Sequence, residues 1–308
     1  MTARIAILGV FVADTAYRAK RQPKIGETLL GESFALGPGG KGSNQAVAAA
    51  RLGAEVGFIS RLGEDAFADL AMVTWEEAGV TPHVVRMAGS YTGAAYIFVD
   101  DATGDNAIII APGAAGEIAA GDIDRAADVI RGAEVFVTQL EQPLDAARRG
   151  LEVARAAGVT TVLNPAPAAA LDDAMIALCD WLTPNESEAE GLTGRAVTGP
   201  EDAERAAHAL LSRGARGAVI TLGAQGALLV TGDGAEHIPA VDAGPVVETT
   251  GAGDAFNGGF AVALAEGRGP GDAVRFGCAV AGLSVTRPGT APSMPRRAAV
   301  DRLLAGGH

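Results

Sequence analysis

A chain of 308 residues, 48% hydrophobic and 20% charged, has the composition of a well-buried globular protein and not of a disordered one. Its net charge of -13 leaves no basic surplus to neutralise a phosphate backbone, so nucleic acid is not an expected partner. Cys179 and Cys278 stand far apart without metal-ligand spacing, which points to a reduced, cytoplasmic setting, and no stretch approaches the ~18 uninterrupted apolar residues of a membrane span.

In chain order, Ile5 to Gly9 is a short apolar run with a glycine stop, the pattern of a buried parallel strand. Residues 14–35 are more polar, carry Pro23 and Gly26, and predict a small strand excursion forming half of a lid. Gly37 to Gln45 is a glycine-rich loop feeding an alanine-rich helix that Gly53 stops, with Ser43 or Asn44 as its N-cap. It fails the P-loop pattern, because Ala35 stands at the first glycine position and Gly42 follows Lys41. Lys41 and Asn44 supply donors and acceptors suited to sugar hydroxyls, although a plain turn before a cap accounts for the same glycines.

Alternation of strand and helix then sets in. A strand at 56–60 precedes a helix at 66–78 ended by Gly79; strands at 94–99 and 107–111 flank the turn Asp101 to Asp105 and form the other half of the lid. A strand at 135–139 delivers Glu141, and the strand at 159–163 runs into Asn164-Pro165. Helices are expected at 144–157, 171–178, 201–211, 272–285 and 296–304, with further strands at 181–182, 218–222 and 227–230. This order predicts an α/β fold: a mostly parallel sheet with helices on both faces, in one domain spanning 1–308 without a linker. Ligands of such sheets bind beyond the C-terminal strand ends, where Glu141, Asn164, Asn185, Thr221 and the turn Gly251 to Asp254 all fall.

The last of these, Thr249-Thr250-Gly251-Ala252-Gly253-Asp254, opens a helix near Gly253 that continues through Phe256, Ala261, Val262 and Leu264. A helix start offers unpaired N–H groups and partial positive charge to an anion, and glycines let a phosphate approach. Asp254 would stand beside that cradle as a base for an attacking hydroxyl, the arrangement phosphoryl transfer to an alcohol needs. The segment alone fits an ordinary tight turn as well. It is not a dinucleotide fingerprint, since Phe256 occupies the third glycine position.

Together with Gly39-Gly40-Lys41-Gly42-Ser43-Asn44-Gln45-Ala46, Asn185-Glu186-Ser187-Glu188 and Thr221-Leu222-Gly223, this turn resembles the ribokinase (phosphofructokinase-B type) family of carbohydrate kinases, its ribokinase branch above all, from Ile5 to about Pro295. The resemblance implies a ribokinase-like three-layer α/β/α sandwich with a small β-strand lid made of segments 14–35 and 94–109. It implies Asp254 as catalytic base and the backbone of Gly251, Ala252 and Gly253 as anion hole. Asp14, Gly40, Lys41, Asn44 and Glu141 would hold sugar hydroxyls. Asn185 and Glu188 would organise Mg²⁺ through water and the ATP phosphates; read by themselves, they favour a helix cap. Thr221, Gly223 and Gly226 would form the nucleotide turn, with Cys278 beside the adenine. Glu248, the Thr250 carbonyl, Ser284, Arg287, Gly289 and Ser293 would hold a monovalent cation, K⁺. The expected partners are a sugar and ATP, in a homodimer paired through the lids.

Two departures bear on substrate and ion. Val12 stands two residues before Asp14, where the family's ribokinases usually carry an Asn facing the sugar near its 2-hydroxyl. Glu248 replaces the usual Asp, one methylene shorter, in the cation loops. Neither His83, His208, His237 nor His308 has the spacing of a metal site or triad, and no Gly-x-Ser-x-Gly elbow is present.

Overall fold

Strands whose residues are apolar on both faces make up the middle of a nine-stranded sheet. The computed structural model describes residues 2–306, which leaves His308 outside. The strands are β1 (Arg4–Leu8), β2 (Val12–Ala19), β3 (Ser33–Gly39), β4 (Glu55–Gly63), β5 (Val80–Met87), β6 (Thr92–Asp100), β7 (Asn106–Gly113), β8 (Val135–Thr138), β9 (Thr160–Leu163), β10 (Trp181–Leu182), β11 (Gly217–Thr221), β12 (Ala227–Thr231) and β13 (Gly234–Ile238). The large sheet has the order β13-β12-β11-β10-β9-β8-β1-β4-β5. It is parallel from β11 to β5 and antiparallel where β12 and β13 close one edge.

The period-two alternation of the strands divides the core into two. Ile5, Ile7, Val135, Val137 and Val219 face one side; Ala6, Leu8, Phe136, Ala218 and Ile220 face the other. The first face is covered by α1 (Lys41–Arg51), α2 (Ala66–Ala78), α9 (Ala252–Ala265), α10 (Pro270–Ser284) and α11 (Arg297–Leu304). The second is covered by α3 (Ala120–Arg125), α4 (Ala127–Arg131), α5 (Leu144–Ala156), α6 (Asp173–Ile176), α7 (Glu186–Thr193) and α8 (Pro200–Ser212). Helices on both faces of a mostly parallel sheet are the layering that the alternation predicts.

The two lid segments pair with one another in a separate four-stranded sheet, order β3-β2-β6-β7, with β2 parallel to β6 and the two outer pairs antiparallel. The chain enters it from β1 through Gly9, Val10 and Phe11, leaves it for α1 through Gly40 alone, and returns to it from β5 through residues 88–91. Its side chains Tyr17, Phe34, Leu36, Ile108, Ile109 and Ile110 are exposed, Ile109 at 69%.

Several elements differ from expectation. β5 was not predicted because Pro82 interrupts its apolar run; the strand lies at the sheet edge, where a residue without an N–H is tolerated. β13 is likewise an edge strand, and Glu236 and His237 give it no apolar pattern to read. The short helices α3 and α4 were also not expected. The helix expected over 171–178 covers only Asp173–Ile176, because the Asp172 carboxylate caps it by accepting from the Met175 N–H at 2.9 Å.

Candidate active site

Two glycine-started helices bring their N-terminal turns together beyond the C-terminal edge of the large sheet. The chain enters α1 at Gly40 and α9 at Gly251, both with positive φ (89° and 83°), a backbone conformation that glycine adopts without strain. At Gly40 a Cβ would also lie 2.5 Å from the Val10 carbonyl oxygen. Because α1 already starts at Lys41, Ser43 and Asn44 lie inside the helix and do not cap it, contrary to the sequence expectation. Their side chains are thereby free for tertiary partners. The Ser43 hydroxyl accepts from Trp75 Nε1 at 2.9 Å, and Asn44 Nδ2 donates to Asp254 Oδ2 at 2.9 Å.

Asp254 sits in the first turn of α9, is only 7% exposed, and has both carboxylate oxygens engaged. Its second oxygen, Oδ1, accepts from Gln45 Nε2 at 3.1 Å. Burial pushes this carboxyl above the usual range, and the Lys41 ammonium with the Asn44 and Gln45 amides counteracts that rise. Around it lie Asp14, pushed up to about 6 by burial and by the charge of Asp254, and Glu141, pushed up to about 7 chiefly by burial. Glu188 is raised by burial as well. Lys41 is the cation among these acids: burial lowers it, but Asp254, Glu141 and Glu188 together hold it above its ordinary value. The Lys41 backbone N–H donates to Glu141 Oε2 at 2.7 Å, which ties the loop after β8 to the start of α1.

The cleft beside Asp254 is lined by Lys41, Asn164, Ala166, Thr183, Asn185, Glu188, Thr221, Gly251, Gly253, Asp254 and Asn257. Of these, Lys41, Asn164, Asn185, Glu188, Thr221, Gly251, Gly253 and Asp254 are residues that the sequence singles out. Asn185 and Glu188 line the cleft and also form a capping box on α7, Asn185 Oδ1 accepting from the Glu188 N–H at 2.8 Å and Glu188 Oε2 from the Asn185 N–H at 2.9 Å. Cap and cleft wall are therefore the same pair of residues. Asn185 also forms a parallel bridge with Thr221. Gly223 and Gly226 follow in a tight turn, the Leu222 N–H donating to the Gly226 carbonyl at 2.8 Å. At the start of α9 the Ala252 N–H is turned back onto the Thr249 carbonyl at 3.1 Å.

Cys278 lies on α10 within the core, where burial raises its thiol to about 11. The residues assigned to a monovalent cation lie before α9, at the end of α10 and in the segment that follows it. Glu248 Oε2 accepts from the Gly289 N–H at 2.8 Å, the Ser293 hydroxyl donates to the Thr290 carbonyl, and the Ser284 hydroxyl donates to Ala281. Arg287 and Thr250 are exposed beside them.

Sequence reading missed Gln45, Gln139 and Asn257. All three are buried polar side chains, and each is bound to groups the sequence had singled out or to their neighbours. The only sequence signal was a polar side chain in a small or apolar run: Gln45 before Ala46-Val47-Ala48, Asn257 before Gly258-Gly259-Phe260.

This architecture has many relatives. The family described as pfkB family carbohydrate kinase matches residues 3–297. The ribokinase of Haemophilus influenzae is 39% identical over 298 residues, covering 96% of this chain and 97% of the relative. A deoxyribokinase of Salmonella typhi is 38% identical over 293 residues, covering 94% and 95%. The structure of Arabidopsis thaliana ribokinase complexed with ribose and ATP superposes with a TM-score of 0.93 at 31% identity, over 99% of both chains. With the family matched along nearly its whole length, this chain belongs to the pfkB family of carbohydrate kinases, in its ribokinase branch.

Proposed function

We propose that this kinase transfers the γ-phosphoryl group of ATP to a primary hydroxyl of a pentose, with D-ribose as the leading substrate and ribose 5-phosphate as product. The observation that carries the reading is Asp254: a buried carboxylate at a helix start, with Lys41 beside it and two amides fixing its oxygens. Asp254 takes the proton of the sugar hydroxyl as that oxygen attacks in line. The N–H groups of Gly251 and Gly253 receive the negative charge that builds on the transferring group, where one preorganised donor is typically worth ~3 kcal/mol of barrier. The Ala252 N–H, expected to join them, is already bound to the Thr249 carbonyl. Asp14, Gly40, Lys41, Asn44 and Glu141 hold the sugar; Asn185, Thr221, Gly223 and Gly226 hold the nucleotide, with the adenine toward Cys278.

Among the described residues no three His, Cys, Asp or Glu side chains form a metal cage. The buried Glu188 carboxylate in the cleft wall fits instead a hydrated Mg²⁺ that arrives with the phosphates, and Glu188 would hold it through water. When bound, Mg²⁺ would offset charge on the phosphate oxygens. Glu248 and the loop at Gly289, already joined by a hydrogen bond, fit a K⁺ site with Thr250, Ser284, Arg287 and Ser293. The four-stranded sheet serves as the lid, and its exposed apolar face pairs two subunits into a homodimer. The setting is cytoplasmic, where buried Cys179 and Cys278 remain thiols.

Val12 supports a second reading, 2-deoxyribose. Its buried apolar side chain offers no partner to a 2-hydroxyl, and leaving such a group unpaired costs about 1–3 kcal/mol. The near-equal identity to a ribokinase and a deoxyribokinase fits either sugar. ATP consumption with Mg²⁺ and K⁺ on ribose, 2-deoxyribose, fructose and adenosine tests both readings. Faster turnover of ribose supports the first; preference for 2-deoxyribose, reversed toward ribose by roughly tenfold in Val12→Asn, supports the second. Silence on all of them sinks the kinase substrate class.

A further inference from the structure

Behind Asp254 lies a chain of buried amides whose polarity is fixed by Asp254 and by the Thr183 carbonyl. Gln139 Nε2 donates to Gln45 Oε1 at 2.6 Å, and Gln45 Nε2 donates both to Asp254 Oδ1 at 3.1 Å and to Asn164 Oδ1 at 3.2 Å. Asn164 Nδ2 in turn donates to the Thr183 carbonyl at 2.9 Å. The Thr183 carbonyl can only accept, so Asn164 must present its NH₂ there and its oxygen to Gln45. An ionised Asp254 also only accepts, so Gln45 must turn its NH₂ toward both and its oxygen toward Gln139. One arrangement of amides satisfies Gln45 and Asn164, while Gln139 Oε1 is buried without a hydrogen-bond partner.

Gln45 and Gln139 are fully buried, so no solvent competes for these groups. Gln139 owes its place to two glycines: a Cβ at Gly9 or Gly42 would lie 2.5 or 2.8 Å from its Oε1. A protonated Asp254 would turn a hydroxyl against Asn44 Nδ2 or Gln45 Nε2, both already donors, so the amides favour the ionised base. The charged groups facing Asp254 are Lys41 from α1, Asp14 from β2, Glu141 from the loop after β8 and Glu188 from α7. With acids outnumbering the single ammonium in that set, the two amide donors weigh heavily in keeping Asp254 ionised.

We propose that Gln45 is a positioning residue that keeps Asp254 ionised and aimed at the attacking hydroxyl, and that Gln139 anchors the Gln45 oxygen and so holds the Gln45 NH₂ toward Asp254. This rests on the reading of Asp254 as the base. The test uses the full-length protein, the faster of ribose and 2-deoxyribose as acceptor, and kcat and KM measured from about pH 5 to about pH 9. Gln45→Met keeps the shape and removes the donor. Its kcat should fall on the order of tenfold, its KM for ATP should stay within about twofold, and its acid limb should move up by about one pH unit. Gln139→Glu should turn over like the wild type at low pH, where the introduced carboxyl is neutral and still donates. Activity should then drop as pH rises, because an ionised carboxylate there accepts only and draws the Gln45 NH₂ away from Asp254. If Gln45→Met does not fold, Gln139→Glu carries the test by itself. Profiles in both that parallel the wild type, whatever the drop in kcat, overturn the proposal, since lost packing lowers the rate without moving the limb. Asp254→Asn separates the two failures: normal turnover in that variant removes the base itself, whereas a dead Asp254→Asn with unmoved limbs defeats only the relay.

Discussion

The cleft and the four-stranded sheet solve opposite problems. In the cleft, buried polar groups bind one another: Asp254, Asn44, Gln45, Asn164 and Gln139 exchange hydrogen bonds out of water, with only Asn44 Oδ1 and Gln139 Oε1 unpartnered among them. On the small sheet, large apolar side chains face outward, with Tyr17 packed against Phe34 and Tyr96 at ring separations of 5.1 and 5.6 Å and three successive isoleucines exposed on β7. Polar groups are buried around Asp254, and apolar ones are exposed on the small sheet, where the proposed pairing of subunits would cover them. Stability alone would favour the reverse in both places.

Removing the aimed charge is the strongest way to break the comparison. Asp254→Asn should lower kcat by roughly 10³-fold with little change in the KM for ATP, while the melting temperature holds or rises, because a buried carboxylate is no longer desolvated. A steady-state assay beside a thermal melt reads both; unaltered turnover removes Asp254 from the mechanism. On the other region, Ile109→Glu places a charge within the exposed apolar face. Sedimentation of this variant should show a monomer where the wild type sediments as a dimer, and a wild type that is itself monomeric refutes the pairing.

A smaller effect sharpens the contrast within the cleft. Burial lifts Glu141 from 4.5 to about 7, so the folded protein keeps a proton over a range in which the unfolded chain has released it. The stability this gives is present at low pH and declines as pH climbs from about 4.5 to about 7. Glu141→Gln cannot ionise, so its melting temperature should exceed that of the wild type at pH 8, with the gap closing toward pH 4.5. A gap that widens on acidification contradicts that assignment.

What could be read from the residues divides along the same line. The turn at Gly251, the start of α9 and the walls contributed by Asn185, Glu188 and Thr221 were legible because each is a local pattern: glycine, cap or strand end. The cap at Ser43 or Asn44 was misplaced because the positive φ of Gly40 lets the helix begin earlier than side-chain preference suggests. Gln45, though part of the glycine-rich motif, and Gln139 were given no role, since their partners lie 94 to 209 residues away along the chain. The apolar face was hidden for another reason: the segments that build it, on either side of β4 and α2, are individually ordinary strands whose shared surface exists only once β2 pairs with β6.

The links between the two sheets have a mechanical consequence. Gly9 to Phe11 is all that separates β1 from β2, and Gly40 is all that separates β3 from α1, so Asp14 stands on β2 just past one tether and Lys41 directly after the other. The Thr290 hydroxyl adds a side-chain attachment, donating to the Pro38 carbonyl at 2.8 Å. A rotation of the small sheet is therefore geared to the Asp14 carboxylate and cannot leave it behind. Placement of the Asp14 carboxylate and stiffness of the four strands become a single elastic property, so loosening the strands slackens the carboxylate.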